Sequence, residues 1–442
     1  MSADFASKLS RFVQRGLGKG GAIDDLKRLT GGANMESWSF DYAGHGYVLR
    51  FSPSAEMMAG RVYGHDVEAA VVRAAFASGV KAPEIVAEIA PGDDLGTGYL
   101  MRRVDAEVNP AKILAGPPPS LLADLARELA LIHKVPCENV RALPVTSARS
   151  LLAELKARFI SFGGDRPVMA LALRWLEDHC PTAVEPVLLH GDFRIGNIMA
   201  DERGLAVVLD WELAHLGDRH QDLAFGCINS WRFGNIDRPA FGLGSLEVFW
   251  TEYEGASGTT VDPERFRWWL VYATLWWGLC CLQMADIWRT GLDTGLERAV
   301  IGRRTSETEV DLLMLLEEYA PVEERGSIGG MQSEETSGHG EPSATEMLEA
   351  LSNWIESDVK PKAEGRDRFL AAVALNALGM LRRESEQPIS ICDKSLSDEL
   401  LTGQKSLSTP GLLAQLKQQS IQKLMVDQPK YSALAKALRQ WT

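Results

Sequence analysis

The spacing of the apolar residues changes once along the chain, and this change is the strongest constraint on its fold. Between Ile23 and Val104, apolar and polar residues alternate in five short runs with glycine-bearing turns between them, a pattern that predicts strands. One stretch inside this region, from about His65 to Ala77, has helical spacing instead. From Ser120 onward the spacing is mainly helical. We therefore expect a small, mostly antiparallel sheet followed by a larger helical region.

Charge and cysteine usage narrow the classes of protein that this chain can be. Its 442 residues include 46 Lys and Arg against 60 Asp and Glu, which gives a formal net charge of −14. This acidity argues against a general nucleic-acid backbone binder, which would need a basic surface. The six cysteines form no C-x-x-C pair, and the N-terminal residues lack the apolar core of a signal peptide. We therefore expect a cytoplasmic protein in a reducing environment.

One uncharged stretch raises the question of a membrane span. Trp268 to Ala285 carries 18 residues without a formal charge, which is at the lower edge of spanning length. Trp276 and Trp277 lie in its middle, whereas membrane tryptophans favour the two interfaces. A helix that is apolar all round is more often the centre of a large domain, so we expect a buried core helix and no membrane span.

The composition changes again near the C-terminal end. Residues 323–345 are rich in Gly, Ser and Glu and have no apolar period, which predicts a flexible linker. Residues 346–442 then contain several amphipathic helical patterns. We expect a separate, all-helical domain of unknown role there, of ordinary domain size.

A single polar segment carries the chemistry. It contains His190, Asp192, Arg194 and Asn197, followed by a predicted hairpin around the turn D-E-R-G and then by Asp210, thirteen residues after Asn197. Phosphoryl transfer from a nucleotide needs a carboxylate beside the acceptor hydroxyl, and Asp192 fits that position. Magnesium prefers oxygen ligands, which Asn197 and Asp210 supply. Arg194 would stabilise the charge on the transferred group, and His190 would brace the loop.

The amino-acid sequence of this segment resembles that of a known family. L-L-H-G-D-F-R-I-G-N-I-M followed by V-V-L-D-W-E-L-A-H-L-G-D is similar to the catalytic and metal-binding loops of the aminoglycoside phosphotransferase family, within the protein-kinase-like group. The motifs H-G-D-F-R and D-W-E are most similar to those of the kinase domain fused to acyl-CoA dehydrogenases. The resemblance covers roughly residues 20–320. It implies an α+β, two-lobed fold with an N-lobe over residues 1–104 and a helical C-lobe over residues 105–322.

The resemblance also implies where a nucleotide would bind. The turn after the first strand resembles the family's phosphate loop, in which Gly31 and Gly32 would let the phosphates approach and Ser37 would donate a hydrogen bond. Arg50 in the third strand stands where protein kinases have a lysine that pairs with the α- and β-phosphates. Arg can serve there because its fork of donors binds phosphate and carboxylate. Glu68 in the following helix would be its partner.

The resemblance further implies ATP and Mg²⁺ as cofactors and an adenine contact from the backbone groups of Arg102 and Val104. Three further acidic residues have two interpretations each. Glu212 is either a metal-site or substrate contact or a surface carboxylate. Asp218 and Asp222 either bind a cationic substrate or cap a helix and brace the catalytic loop, and for Asp222 we favour the brace.

Two classes of function follow. The first is a small-molecule kinase whose acceptor is either a hydroxyacyl-CoA-like metabolite or an amino sugar or amino alcohol, with Trp231 or Trp250 as potential pocket residues. The second is a nucleotide-binding pseudokinase whose C-terminal helices recruit a protein partner or form a dimer contact. Intact Asp192, Asn197 and Asp210 favour the first. The choice between ATP and GTP stays open at this stage.

Overall fold

The computed structural model describes residues 3–18, 20–29, 35–54, 58, 61–292, 296–326, 344–387 and 393–441. Gly31 and Gly32 of the expected phosphate loop lie outside the described residues, as do residues 327–343 of the expected linker.

The N-terminal region is a five-stranded antiparallel sheet flanked by two helices. Its elements are α1 (Ala3–Leu17), β1 (Ile23–Arg28), β2 (Glu36–Tyr42), β3 (His45–Ser52), α2 (His65–Ala77), β4 (Ile85–Glu88) and β5 (Thr97–Arg102). The strand order is β1-β2-β3-β5-β4. Leu9 and Phe12 of α1 pack with Phe40, Leu49 and Leu100 of the sheet to form its core. The five expected strands and the inserted helix are all present, which confirms the expectation for this region.

The next region is mainly helical and carries two short ribbons. Its helices are α3 (Pro110–Ala115), α4 (Leu121–Ile132), α5 (Ala148–Ser161), α6 (Pro167–Asp178), α7 (Arg219–Phe225), α8 (Leu246–Ser257), α9 (Pro263–Arg289), α10 (Leu296–Arg303) and α11 (Thr305–Leu316). Its strands are β6 (Val187–Leu189), β7 (Ile198–Asp201), β8 (Gly204–Val208) and β9 (His215–Gly217), paired as β6 with β9 and β7 with β8. The β7–β8 hairpin is the one that the sequence predicts around D-E-R-G.

Helix α9 contains the long uncharged stretch. By length and composition its segment Pro263–Ile287 is long and apolar enough to cross a membrane, but 61% of an 18-residue apolar stretch in it is buried inside the protein. Trp268, Trp269 and Leu275 are buried in the main core, where α9 contacts α5, α6, α7, α10 and α11. The expectation of a core helix is confirmed.

The described residues of the C-terminal region, 344–387 and 393–441, are helical, as expected. Its helices are α12 (Ala344–Trp354), α13 (Gly365–Glu386), α14 (Lys394–Leu401), α15 (Leu412–Asp427) and α16 (Ser432–Trp441). Its apolar core is continuous with that of the preceding region, because Leu416 and Trp441 belong to the same buried cluster as Leu312 and Leu316 of α11. The domain boundaries at residues 104, 322 and 345 stay predictions.

Candidate active site

The two ribbons place the polar segment at one edge of the helical region. Strand β6 ends directly before His190, and the β7–β8 hairpin separates Asn197 from Asp210. The Leu209 amide donates to the main-chain oxygen of Asn197 at 2.7 Å, so the loop before the hairpin and the loop after it are tied together. Asp210 itself adopts a positive φ of 65°, a strained conformation for a residue with a Cβ.

Asp192 is held by the two neighbours that the sequence places beside it. Arg194 Nε donates to Asp192 Oδ1 at 2.8 Å, and the Asn197 amide nitrogen donates to Asp192 Oδ2 and, at 2.9 Å, to the Asp192 main-chain oxygen. Burial raises the pKa of the Asp192 carboxyl. Because the Asn197 nitrogen is turned towards Asp192, its Oδ1 is the atom left to accept a cation.

His190 braces this loop through both ring nitrogens. Its Nε2 donates to the Leu209 oxygen at 3.0 Å, and its Nδ1 accepts from the Asp192 amide at 3.2 Å. Burial lowers the pKa of His190, which favours the neutral ring that this pattern requires. The expected bracing contacts of His190 are therefore present.

Asp222 holds the start of the catalytic loop by accepting hydrogen bonds from its main-chain amides. It accepts from the amides of His190 at 2.7 Å and Gly191 at 2.9 Å, and it lies 3.4 Å from His133 Nε2. Although burial raises the pKa of this carboxyl, hydrogen bonds from His133 and the loop amides bring it below its ordinary value. Gly191 has a φ of 82°, and a Cβ there would collide with the main-chain oxygen of Leu213. The bracing interpretation of Asp222 fits these contacts.

Arg50 crosses from the sheet to the other side of the same site. One of its terminal nitrogens is 2.6 Å from Asp210 Oδ1 and 3.1 Å from Glu212 Oε2, and its Nε is 3.4 Å from Glu68 Oε1. The expected pair with Glu68 is therefore present, but the shortest contact is with Asp210. Ser37 is the cross-strand partner of Arg50, which puts both side chains on one face of the sheet.

Arg61 is a functional candidate that sequence reasoning missed. Its guanidinium is 2.8 Å from Glu68 Oε2 and 3.3 Å from Glu212 Oε2, while the Tyr99 hydroxyl donates to Glu68 Oε1 at 2.7 Å. Two arginines thus meet the same two glutamates. A single arginine in a loop carries no pattern that could have predicted this, because its contact with Glu212 spans 151 positions of the chain.

The two remaining acidic candidates, Glu212 and Asp218, are both bonded to other side chains of the protein. Glu212 lies between the guanidiniums of Arg50 and Arg61. Asp218 caps α7 and also accepts from Arg265 at 2.6 Å and from the Trp269 indole at 2.9 Å. These contacts fit the capping interpretation of Asp218, and its role towards a substrate stays a prediction.

Of the backbone groups expected to contact adenine, the Arg102 amide already has a hydrogen-bond partner. The Arg102 amide donates to the Glu84 oxygen at 2.9 Å, so a contact from its backbone to a base would use the carbonyl oxygen. Its side chain extends to the Tyr47 hydroxyl at 2.8 Å. Val104 follows the end of β5. The roles of Arg102, Val104, Gly31 and Gly32 towards a nucleotide stay predictions.

The Arg194 guanidinium, which pairs with Asp192, also packs on an aromatic ring. It lies 4.5 Å from the centre of the Trp231 ring, which makes a cation–π contact. A Cβ on Gly196 would overlap Arg194 Nη1, so only glycine leaves the guanidinium in this position. Of the two tryptophans proposed for an acceptor pocket, Trp231 reaches the site, whereas Trp250 packs edge-on against Phe266 at 5.0 Å.

Asn197 and Asp210 offer an oxygen-only donor set, which suits Mg²⁺. Among the described residues, no three His, Cys, Asp or Glu side chains form a metal-binding group by themselves. A site that takes its remaining ligands from phosphate oxygens and water needs no such group, so these two residues fit the ion.

Comparison with known proteins agrees with this geometry. A model of the phosphotransferase enzyme family, APH, matches residues 25–257, which is more than half of the chain and includes every residue of the site. Acyl-CoA dehydrogenase family member 10 of mouse is 25% identical over 219 residues, or 46% of this chain and 20% of the mouse protein. Family member 11 of chicken is 28% identical over 215 residues, or 45% of this chain and 27% of the chicken protein. These alignments thus span about a quarter or less of each relative.

A solved structure shows the same fold. The crystal structure of a Ralstonia eutropha protein classed among the aminoglycoside phosphotransferases superposes with a TM-score of 0.56 at 18% identity. The match covers 71% of this chain and 98% of that one. The two-lobed, kinase-like fold expected from the sequence is confirmed.

Proposed function

Because the chain belongs to the phosphotransferase enzyme family, we propose that it transfers the γ-phosphoryl group of ATP to a hydroxyl group of a small metabolite, with Mg²⁺ as the metal. Family membership makes the chain a small-molecule phosphotransferase. ATP, Mg²⁺ and the hydroxyl acceptor are the proposal. The observation that carries it is the carboxylate of Asp192, which is 15% exposed and is held by Arg194 and Asn197 beside the loop of Asp210.

The residues divide the work as follows. The acceptor oxygen forms a bond to the γ-phosphorus, the bond from that phosphorus to the bridging oxygen of ADP breaks, and the hydroxyl proton passes to Asp192. A raised pKa suits Asp192 to receive this proton. Arg50 and Arg61 would bind the phosphates. Asn197 and Asp210 would hold Mg²⁺, which supplies charge neutralisation when bound.

The acceptor that these side chains favour is neutral or anionic. Asp218 and Asp222, the carboxylates that could have bound a cation, are committed to internal hydrogen bonds. Beside Asp192, the Arg194 guanidinium supplies a positive charge at 2.8 Å. We therefore favour a hydroxylated acyl-CoA-like metabolite over an amino sugar or amino alcohol. The similarity to proteins named as acyl-CoA dehydrogenase family members supports the same choice.

The test is Mg-ATP consumption by the purified protein across hydroxyacyl-CoAs, neutral polyols, amino alcohols and aminoglycosides. Asp192→Ala should lower turnover by about a hundredfold or more and leave nucleotide affinity unchanged, because Asp192 acts on the acceptor proton. Asp210→Ala should instead weaken nucleotide binding only when Mg²⁺ is present. An Asp192→Ala protein that keeps near-full turnover would overturn the proposal, and nucleotide binding without turnover on any acceptor would favour a pseudokinase.

A cytoplasmic location also belongs to the proposal. The five cysteines in the described part of the chain, Cys137, Cys180, Cys227, Cys280 and Cys281, are unpaired. Unpaired thiols fit a reducing compartment, where ATP is also available.

A further inference from the structure

The C-terminal helices contact the helical region through polar groups as well as apolar ones. Tyr431, just before α16, donates its hydroxyl to Asp311 Oδ2 on α11, and the Asn229 amide donates to Asp311 Oδ1 at 2.9 Å. Ser432 adds a 3.5 Å contact from its hydroxyl to Asn229 Oδ1. Two residues of the C-terminal region therefore fix the position of Asn229.

Asn229 begins a short turn that ends at the site. The 3₁₀ turn Asn229–Trp231 places Trp231 against the Arg194 guanidinium at 4.5 Å, and Arg194 is paired with Asp192 at 2.8 Å. Trp231 also packs against Trp277, with the two ring centres 4.5 Å apart, and only 7% of its surface is exposed. A shift of the turn must therefore move the ring on which Arg194 rests.

We propose that Tyr431 is a positioning residue for phosphoryl transfer: it holds the Asn229–Trp231 turn through Asp311, so that Trp231 keeps the Arg194 guanidinium on Asp192. This rests on the proposed function. It assigns the C-terminal helices a part in the reaction, which the matched family segment, ending at residue 257, does not include.

A polar connection at this point is more than packing requires. Asp311 and Asn229 are both buried, and burying a carboxylate costs free energy unless its oxygens are bonded. Burial raises the pKa of the Asp311 carboxyl to about 7, against the opposing effect of the bonds from Tyr431 and Asn229. An apolar contact would hold the helices together without this cost. A directional bond fixes the geometry of the turn, which an apolar contact does not.

Deleting the C-terminal region would be a poor test. Lys423 pairs with the buried Glu309 at 3.0 Å, and Lys417 pairs with Glu317, which also accepts from the Trp441 indole at 2.8 Å. Truncation would leave these carboxylates buried without their partners, and the whole protein would lose stability. A single hydroxyl is the sharper probe.

The experiment uses Tyr431→Phe in the full-length chain, which removes the hydroxyl and keeps the ring. Tyr319→Phe is the matched control, because it removes a hydroxyl bonded to Glu264 away from the site. We expect kcat with the best acceptor to fall about tenfold in Tyr431→Phe, the KM for Mg-ATP to stay unchanged, and Tyr319→Phe to match the wild type.

A double-mutant cycle tests whether Tyr431 acts through the indole. If it does, Tyr431→Phe should add almost nothing to the loss caused by Trp231→Phe. Additive losses, or a kcat in Tyr431→Phe equal to that of the wild type, would overturn the inference.

A second measurement separates this inference from the proposed function. With 5-fluorotryptophan incorporated, the ¹⁹F signal of Trp231 is identified by its loss in Trp231→Phe. We expect this signal to shift in Tyr431→Phe and not in Tyr319→Phe, whether or not any acceptor is turned over. If the wild type turns over no acceptor but the signal shifts, only the proposed function is contradicted. If the signal does not shift in Tyr431→Phe, the positioning role is contradicted.

Discussion

The two sides of the site are held in different ways. On the sheet side, Arg50 reaches across to Asp210 through a side-chain ion pair at 2.6 Å. On the catalytic side, the amides of His190 and Gly191 donate to the buried carboxylate of Asp222. One side is joined by long side chains that can change partners, and the other by main-chain groups that cannot move without disrupting the loop.

This difference matches what each side must do. Arg50 is bonded to the same carboxylate that we expect to hold the metal, so it must exchange Asp210 for phosphate oxygens when Mg-ATP binds. Under the proposed function, Asp192 instead keeps its position throughout the reaction, because preorganised groups stabilise a transition state without reorganising. The contrast predicts that changes to the main-chain anchor on the catalytic side cost both stability and turnover, and that changes on the sheet side alter affinities. A change on the catalytic side that moves only a side chain should alter turnover alone.

The largest effect is expected from Asp222→Asn. The amide replacement puts a donor against one of the two loop amides, so a buried N–H loses its acceptor. We expect the free energy of unfolding to fall by about 3 kcal/mol and turnover to fall with it. Denaturant unfolding followed by tryptophan fluorescence measures the stability. Asp41→Asn, at a carboxylate that is 40% exposed, is the control, and equal stability of the two variants would contradict the buried anchor.

A smaller effect is expected from Arg50→Gln, in which the affinity for nucleotide and the affinity for a metal ion should change in opposite directions. Loss of the guanidinium should weaken binding of a non-hydrolysable ATP analogue about tenfold or more, because charged hydrogen bonds to phosphate are lost. Affinity for Mn²⁺ alone should rise, because Asp210 no longer has a competing cation. Calorimetric titration measures both. Arg73→Gln on α2 removes an exposed arginine as the control, and a parallel fall of both affinities would contradict the exchange of partners.

Much of this arrangement can be predicted from the sequence because it is local. Alternating residues form the strands of the sheet, and Asp192 and Asn197 are five positions apart in one loop. Only a tight hairpin separates that loop from Asp210. Spacing of this kind carries information about chemistry before any tertiary structure is known.

The rest depends on tertiary contacts that no local pattern encodes. Arg61 meets Glu212 across 151 positions, and Tyr431 meets Asp311 across 120. The sequence names Trp231 and Trp250 as equal candidates, and only the packing of the helices brings Trp231 alone to Arg194. Residues of this kind act through position, so composition and spacing do not reveal them.

The smallest effect, and the finest test of the contrast, is expected from Gly196→Ala. Its new methyl group would overlap Arg194 Nη1, and the guanidinium can move aside because it is the end of a flexible side chain. Since Asp192 and the main chain stay in place, unfolding should change by less than about 0.5 kcal/mol. Turnover should fall about threefold to tenfold, from the loss of the cation–π contact and of ideal hydrogen-bond geometry. Gly92→Ala, where a Cβ would meet no atom within 4 Å, is the control for kinetics and unfolding. A large loss of stability in Gly196→Ala would mean that the loop, and not Arg194, has moved.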